Sequence, residues 1–240
     1  MAYIDTSTPQ KMNSSAKRVT NELHRAIMTK DKDTAKKLLF WLNTWSNNYL
    51  LNEQSFNYKE LIAYKRGMVV KADFGFNVGS EQGGLHYALV IENNNDKSNK
   101  TVMVIPLGSL PDNKDPEDLN EKNEVFLGYS LFEEEINNTK NEIEKKKQLI
   151  VQLSKIGEDT SGISKSLSKL SKKLSNYQKG TIALLNQVCS LSKIRIHTPK
   201  NSSDELFSFQ LSHDKLELID KKLTSLYLTE KNSNKKLTSD

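Results

Sequence analysis

At 240 residues the chain is long enough for one sizeable core with an accessory element, or for two small domains. Lys+Arg number 35 against 30 Asp+Glu, giving a net charge of +5 and a pI near 9.0, a balance equally open to a polyanion partner and to lysine-rich solvated faces. A single cysteine, Cys189, excludes an internal disulfide and a cysteine-cluster zinc site. No window approaches the ~18–20 apolar residues of a membrane span, and residues 1–15 lack a signal-peptide core, so a cytoplasmic protein without a membrane partner is expected.

Residues 1–14 are polar and aperiodic, and read as a disordered tail. From 15 to 57 the spacing turns helical: Val19, Leu23 and Ile27, then Leu38, Leu42, Trp45 and Tyr49, with residues 31–34 able to break and recap the helix. A helical hairpin is predicted. Phe40, Trp41 and Trp45 make its apolar face too greasy to be left in water, so it needs a cover.

Strand signals occupy 58–110, and residues 111–122 form a charged loop with breakers. Residues 124–131 alternate as a further strand. The period then changes. Ile136, Ile143 and Ile150 stand a heptad apart, and Ile163, Leu167, Leu170, Leu174 and Tyr177 follow a 4-3-4-3 rhythm, so 132–179 reads as an antiparallel coiled-coil hairpin turning at 157–162. Strand pattern returns at Thr181, residues 206–209 are a candidate strand, and residues 214–228 carry a C-terminal amphipathic helix. The tail at 231–240 is expected to fray.

The most informative stretch is 64–110. Two apolar, β-prone runs, 68–74 and 85–91, flank the small, polar loop Gly79-Ser80-Glu81-Gln82-Gly83-Gly84. Arg66-Gly67 before it and Ala88-Leu89-Val90-Ile91 after it complete a pattern that resembles the MazF/PemK toxins of type II toxin–antitoxin systems. Asn186-Gln187 and Arg195 match the last strand pair of that family.

The resemblance implies an α+β fold: an SH3-like barrel in two parts, 58–131 and 180–230, the second ending in the C-terminal helix. The N-terminal hairpin and the 132–179 insertion are additions. It also implies a homodimer, a cognate antitoxin as protein partner, and an endoribonuclease of single-stranded RNA that needs no cofactor and no metal. RNA supplies the 2′-OH as nucleophile, so the enzyme needs a base, an acid for the 5′-oxygen and donors for the phosphorane charge. His24, His86, His197 and His213 stand apart from carboxylate or cysteine clusters at ligand spacing.

Two positions depart from the family pattern. Where the family places Arg and then Pro, this chain has His86 and Tyr87. Histidine transfers protons near neutral pH but offers a poorer fixed charge than a guanidinium. His86 is either a proton-transfer group or an ordinary strand residue. The family's catalytic hydroxyl position falls on Gly108, with a hydroxyl one place later at Ser109; a one-residue bulge would realign it. Glu81 is the loop carboxylate suited to act as base. Lys65, Arg66, Ser80, Gln82, Gly83, Gly84, Tyr87, Asn186 and Gln187 are the candidate RNA contacts. Each has a plainer reading: basic residues as solvated faces, glycines as turn formers, Tyr87 as core. The competing function is a catalytically degenerate relative that binds RNA or a protein partner without turnover.

Overall fold

A computed structural model describes residues 4–129 and 131–228. The tail expected at 231–240 and the first three residues lie outside the described residues. The chain forms two units: one runs to Asn57 and takes in Phe74–Gly84, the other comprises Tyr58–Asp73 and the chain from Leu85 onward.

In the first unit, α1 spans Pro9–Met28 and α2 spans Lys32–Thr44, extended by a π-helical turn, Trp45–Leu50. The Thr8 hydroxyl accepts the Lys11 N–H, and Pro9 enters the first turn with its φ already fixed, so the helix begins well inside the stretch read as disordered. That capping signal outweighs the missing apolar periodicity. Asp31 recaps the chain, its carboxylate accepting the Asp33 and Thr34 N–H groups. In these helices and the turn, only Ile27 and Thr44 are buried.

The Phe74–Gly84 segment closes on itself. Phe74 N–H donates to the Gly84 carbonyl at 2.8 Å, Gly84 N–H to Gly75 at 2.6 Å, and the Asn77 amide to Gln82 at 2.6 Å. A β-carbon at Gly83 would stand 2.9 Å from the Gly75 carbonyl oxygen, so the backbone packs there without room for a side chain.

The second unit is built on β1 (Tyr64–Lys65), β2 (Val69–Asp73), β3 (Leu85–Val90), β4 (Asn94–Asn95), β5 (Thr101–Ser109), β6 (Glu124–Gly128), β7 (Thr181–Leu184), β8 (Cys189–Ser192) and β9 (Ile196–Thr198). All ladders are antiparallel. The main sheet runs β6-β7-β5-β3-β2-β9, with β8 also paired to β5, while β1 and β4 form a separate ladder. The α+β class holds, and the hydrogen-bonded path among the described strands is open. The pair of strands expected after Thr181 is divided into three short ones by helical turns at Leu185–Gln187 and Lys193–Arg195.

β5 changes partner at Pro106. Its pairing to β3 ends at Ala88↔Pro106, and from Leu107 to Ser109 it pairs with β7. A residue without an N–H suits that step. The region expected as a strand at 206–209 forms no strand: Leu206 is buried at a φ of 71°, which turns the chain.

Helices α3 (Glu133–Lys155) and α4 (Ser161–Gln178) pack along each other, and α5 spans His213–Tyr227. Ile143 and Tyr177 are buried and Ile136, Ile150, Ile163, Leu167, Leu170 and Leu174 half-buried, so the heptad positions are the shielded ones. The main core joins Val69, Leu89, Ile105, Leu107, Val125, Ala183 and Leu185 to Ile219 of α5. Phe132 and Tyr177, at the two ends of the α3–α4 insertion, belong to the same cluster. Helix α5 is tied down at both ends: Lys215 Nζ donates to the Phe126 carbonyl at 3.0 Å, and the Tyr227 hydroxyl to Leu185 at 2.8 Å.

Candidate functional site

The polar loop presents Ser80, Glu81 and Gly84 to solvent, with Gln82 and Gly83 half-buried. Its hydrogen bonds to itself give these groups a fixed frame, since the Phe74–Gly84 and Gly84–Gly75 bonds close the neck. The strand that follows, β3, carries His86 and Tyr87 on opposite faces, because side chains alternate.

His86 is half-buried and pairs across the ladder with Ala72, which on its other side pairs with Ile196 of β9. Small or aliphatic neighbours leave this row without bulk. The β3–β5 pairing stops at Ala88↔Pro106, so His86 is not paired with Gly108, which stands opposite Ile182 of β7. A β-carbon at Gly108 would stand 3.3 Å from Ile182 Cγ1, so a larger side chain requires Ile182 to yield slightly.

Ser109 is exposed and pairs with Thr181, one step on from Gly108↔Ile182 and Leu107↔Ala183. The register is unbroken, and the bulge that would move the hydroxyl to the Gly108 face is not formed. Alternation puts Ser109 on the face of Leu107 instead, so the strands do not bring His86 and Ser109 to a common face.

Tyr87 stands opposite Lys71. Its hydroxyl lies 2.7 Å from that of Tyr177 on α4, and its ring centroid is 4.6 Å from that of Phe132. Burial and the bond to Tyr177 push its phenol above the ordinary value. Its ring is committed to the root of the insertion. Lys71 Nζ lies 5.7 Å from the Tyr87 centroid, and Lys173 Nζ lies 5.4 Å from that of Tyr177.

Arg66 also serves the fold. Its guanidinium donates to the Ile91 carbonyl and to the Asp220 carboxylate of α5, while its own carbonyl accepts from the Gln210 amide. Lys65 beside it is exposed. Asn186, exposed, and Gln187, half-buried, lie in the turn between β7 and β8. Because Ala183 pairs with Leu107 and Cys189 with Val104, that turn flanks the Pro106 step of β5.

One group the sequence did not single out lies on the edge strand β9. His197 is exposed, and loss of water around its ring holds its pKa below the ordinary value, with Lys200 and Lys71 adding to the effect and Asp73 opposing it. A neutral imidazole with two lysines and a carboxylate in electrostatic reach is a proton acceptor beside a basic patch. Its edge position comes from the β2–β9 pairing, since Ile194 and Arg195 before it lie in a helical turn. Cys189 is half-buried and burial raises its thiol pKa, with Arg195 opposing, so it does not favour the thiolate. Among the described residues no group of three or more His, Cys, Asp or Glu is placed to hold a metal ion. Nor, among them, is any helix long and apolar enough to cross a membrane.

The family model described as PemK-like, MazF-like toxin of type II toxin–antitoxin system matches residues 65–227, which is 163 of the 240. The chain belongs to this toxin family. The matched span takes in the polar loop, His86, β5 and α5, and leaves the N-terminal helices outside. Among solved structures the toxin is similar to an endoribonuclease in complex with its cognate antitoxin from a Mycobacterial species, at 13% identity and a TM-score of 0.35, covering 68% of this chain and 94% of that one. A search of curated proteins finds no match.

Proposed function

We propose that this toxin is a cytoplasmic endoribonuclease that cleaves single-stranded RNA without a metal ion, works as a homodimer and is held in check by a cognate antitoxin. The antiparallel sheet then serves as the SH3-like barrel of the PemK/MazF toxins. What carries the reading is the family match over 65–227, which includes the Gly79-to-Gly84 loop and His86.

The chemistry requires the RNA 2′-oxygen to attack phosphorus while the P–O5′ bond breaks. A base accepts the 2′-OH proton and an acid delivers one to the departing 5′-oxygen, leaving a 2′,3′-cyclic phosphate and a 5′-OH. His86 takes one proton-transfer role and Glu81 is the candidate for the other. The loop N–H groups act as donors to the phosphorane. Lys65, Ser80, Gln82, Gly83, Gly84, Asn186 and Gln187 face the RNA, while Arg66 and Tyr87 support it through the fold.

Mixed single-stranded RNA incubated with the purified protein, with and without EDTA, followed by end-group mapping, tests this. Cleavage in EDTA with cyclic-phosphate ends is expected, and His86→Ala lowers the rate by about 10²–10⁴-fold, the usual weight of one acid–base group. Intact RNA in both arms would sink the reading. A second reading, binding without turnover, is favoured by the missing side chain at Gly108 and by the Ser109 hydroxyl on the opposite face. It predicts RNA or protein capture by the wild type with no new RNA ends.

A further inference from the structure

Helix α4 carries four lysines, at 165, 169, 172 and 173, and no acidic residue from Ser161 to Gln178. Steps of four and three residues put Lys165, Lys169 and Lys172 on one stripe, opposite the half-buried Ile163, Leu167, Leu170 and Leu174 that pack on α3. Lys165, Lys169 and Lys172 are exposed. Among the described residues none of the three has a carboxylate within ion-pair distance. Helix α3 differs: Lys146 reaches Glu142 at 3.7 Å and Lys147 reaches Glu144 at 3.8 Å. One helix of the arm neutralises its own charge, and the other displays it.

The stripe does not end on the arm. Lys173, one residue on, is half-buried over the Tyr177 ring, and its charge acts on Lys71 of β2. Lys71 is opposite Tyr87 of β3. The Tyr87–Tyr177 hydroxyl bond and the Phe132–Tyr177 contact, at 5.3 Å between centroids, fix the lower end of α4 against β3. Like charges drawn together on a partly desolvated surface repel, and an anion between them relieves that repulsion.

We propose that Lys165, Lys169 and Lys172 form a track for the sugar–phosphate backbone of single-stranded RNA, and that Lys173 and Lys71 continue it from the arm to the sheet at β2. The proposal rests on the RNA reading above in taking RNA as the polyanion. The stripe offers ammonium groups, with the Ser168 hydroxyl beside them, but no aromatic ring, which suits phosphate contact without base readout. From Lys165 to Lys173 the track runs about 12 Å at ~1.5 Å per residue.

Test it with the triple variant Lys165→Gln/Lys169→Gln/Lys172→Gln, whose positions are solvent-facing, after circular dichroism confirms the fold. Its affinity for a labelled 2′-O-methyl RNA oligomer, which lacks the nucleophile, is measured by anisotropy from 50 to 200 mM salt. Single-strand phosphate contacts each contribute about 0.7 to the salt slope, so the triple variant's slope is shallower by about 2. Over that fourfold salt range the wild type then loses affinity by roughly 20-fold more than the variant. The matched control, Lys145→Gln/Lys147→Gln/Lys155→Gln on α3, keeps the wild-type slope.

Equal slopes for wild type and the α4 triple overturn the proposal. So does an α3 control that falls as far, which would reduce the effect to net charge. So does a variant that loses binding to an acidic peptide while its RNA binding is unchanged, which would assign the stripe to a protein partner. If the wild type cuts no RNA yet the slope difference appears, the track stands and the nuclease reading falls. If RNA is cut and the slopes agree, the reverse holds.

Discussion

Two pairs of helices, one ahead of the strands in sequence and one inserted between β6 and β7, both follow a helical apolar spacing, yet they differ in how far they shield their own apolar residues. In α3 and α4 each helix supplies the other's seam, and Phe132 and Tyr177 carry the pair's ends into the main core. In α1, α2 and the turn after them, Met28 is 70% exposed, Phe40 72% and Leu51 75%. Amphipathic spacing predicts a face, not its partner. The insertion has its complement built in, heptad against heptad, and the N-terminal pair leaves an apolar surface of a kind that marks an interaction site.

The comparison breaks first at Tyr177. Tyr177→Ala removes a buried ring that touches Phe132 and Tyr87, and costs about 3–5 kcal/mol. At ~2–4 °C per kcal/mol the calorimetric Tm falls by roughly 6–20 °C. Tyr177→Phe keeps the ring and loses only the 2.7 Å hydroxyl bond, costing ~1–2 kcal/mol. If Tyr177→Ala shifts Tm by less than about 2 °C, the root of the arm is not part of the core and the two helical pairs are alike.

Glu135 sharpens the comparison through pH. It is buried at the root of α3, and burial raises its pKa above the ordinary value, with Glu134 and Glu205 adding to the rise and Lys173 opposing it. The protonated form is thus favoured in the fold. Its contribution is fully present below the unfolded pKa and is lost as pH rises through the folded one. Glu135→Gln is neutral at every pH, so the Tm of the variant relative to wild type rises from pH 4 to pH 8. A difference that stays flat, or falls, would show that the arm's root is wetter than its burial implies.

How much of this was legible follows from the range of each interaction. The apolar, β-prone runs 68–74 and 85–91 marked β2 and β3, and the heptads marked the arm, because both are local signals. The start of α1 depended on one cap, Thr8 with Pro9, which no apolar period announces. The Tyr87–Tyr177 bond spans 90 residues, and the Arg66–Asp220 pair spans 154, so nothing local could distinguish these side chains from RNA contacts. In the candidate site the loop and His86 stood out by motif. The placement of Ser109 on the far face depended on the β5–β7 register, and His197 on an edge strand that only the sheet order reveals.

The smallest expected effect is the sharpest check on the N-terminal pair. Phe40 lies on α2 with most of its ring in water, so Phe40→Ser removes little buried area and moves unfolding stability by no more than about 0.5 kcal/mol. That leaves Tm within about 2 °C of wild type at low protein concentration. What should change is self-association: with less apolar surface exposed, light scattering at high concentration falls. A Tm that drops with dilution in the wild type but not in Phe40→Ser would mean that association covers the face, because burial in a complex stabilises by mass action. A Tm lowered by several degrees at every concentration would place a cover within the chain itself, and the contrast between the two helical pairs would then be one of partner and not of shielding.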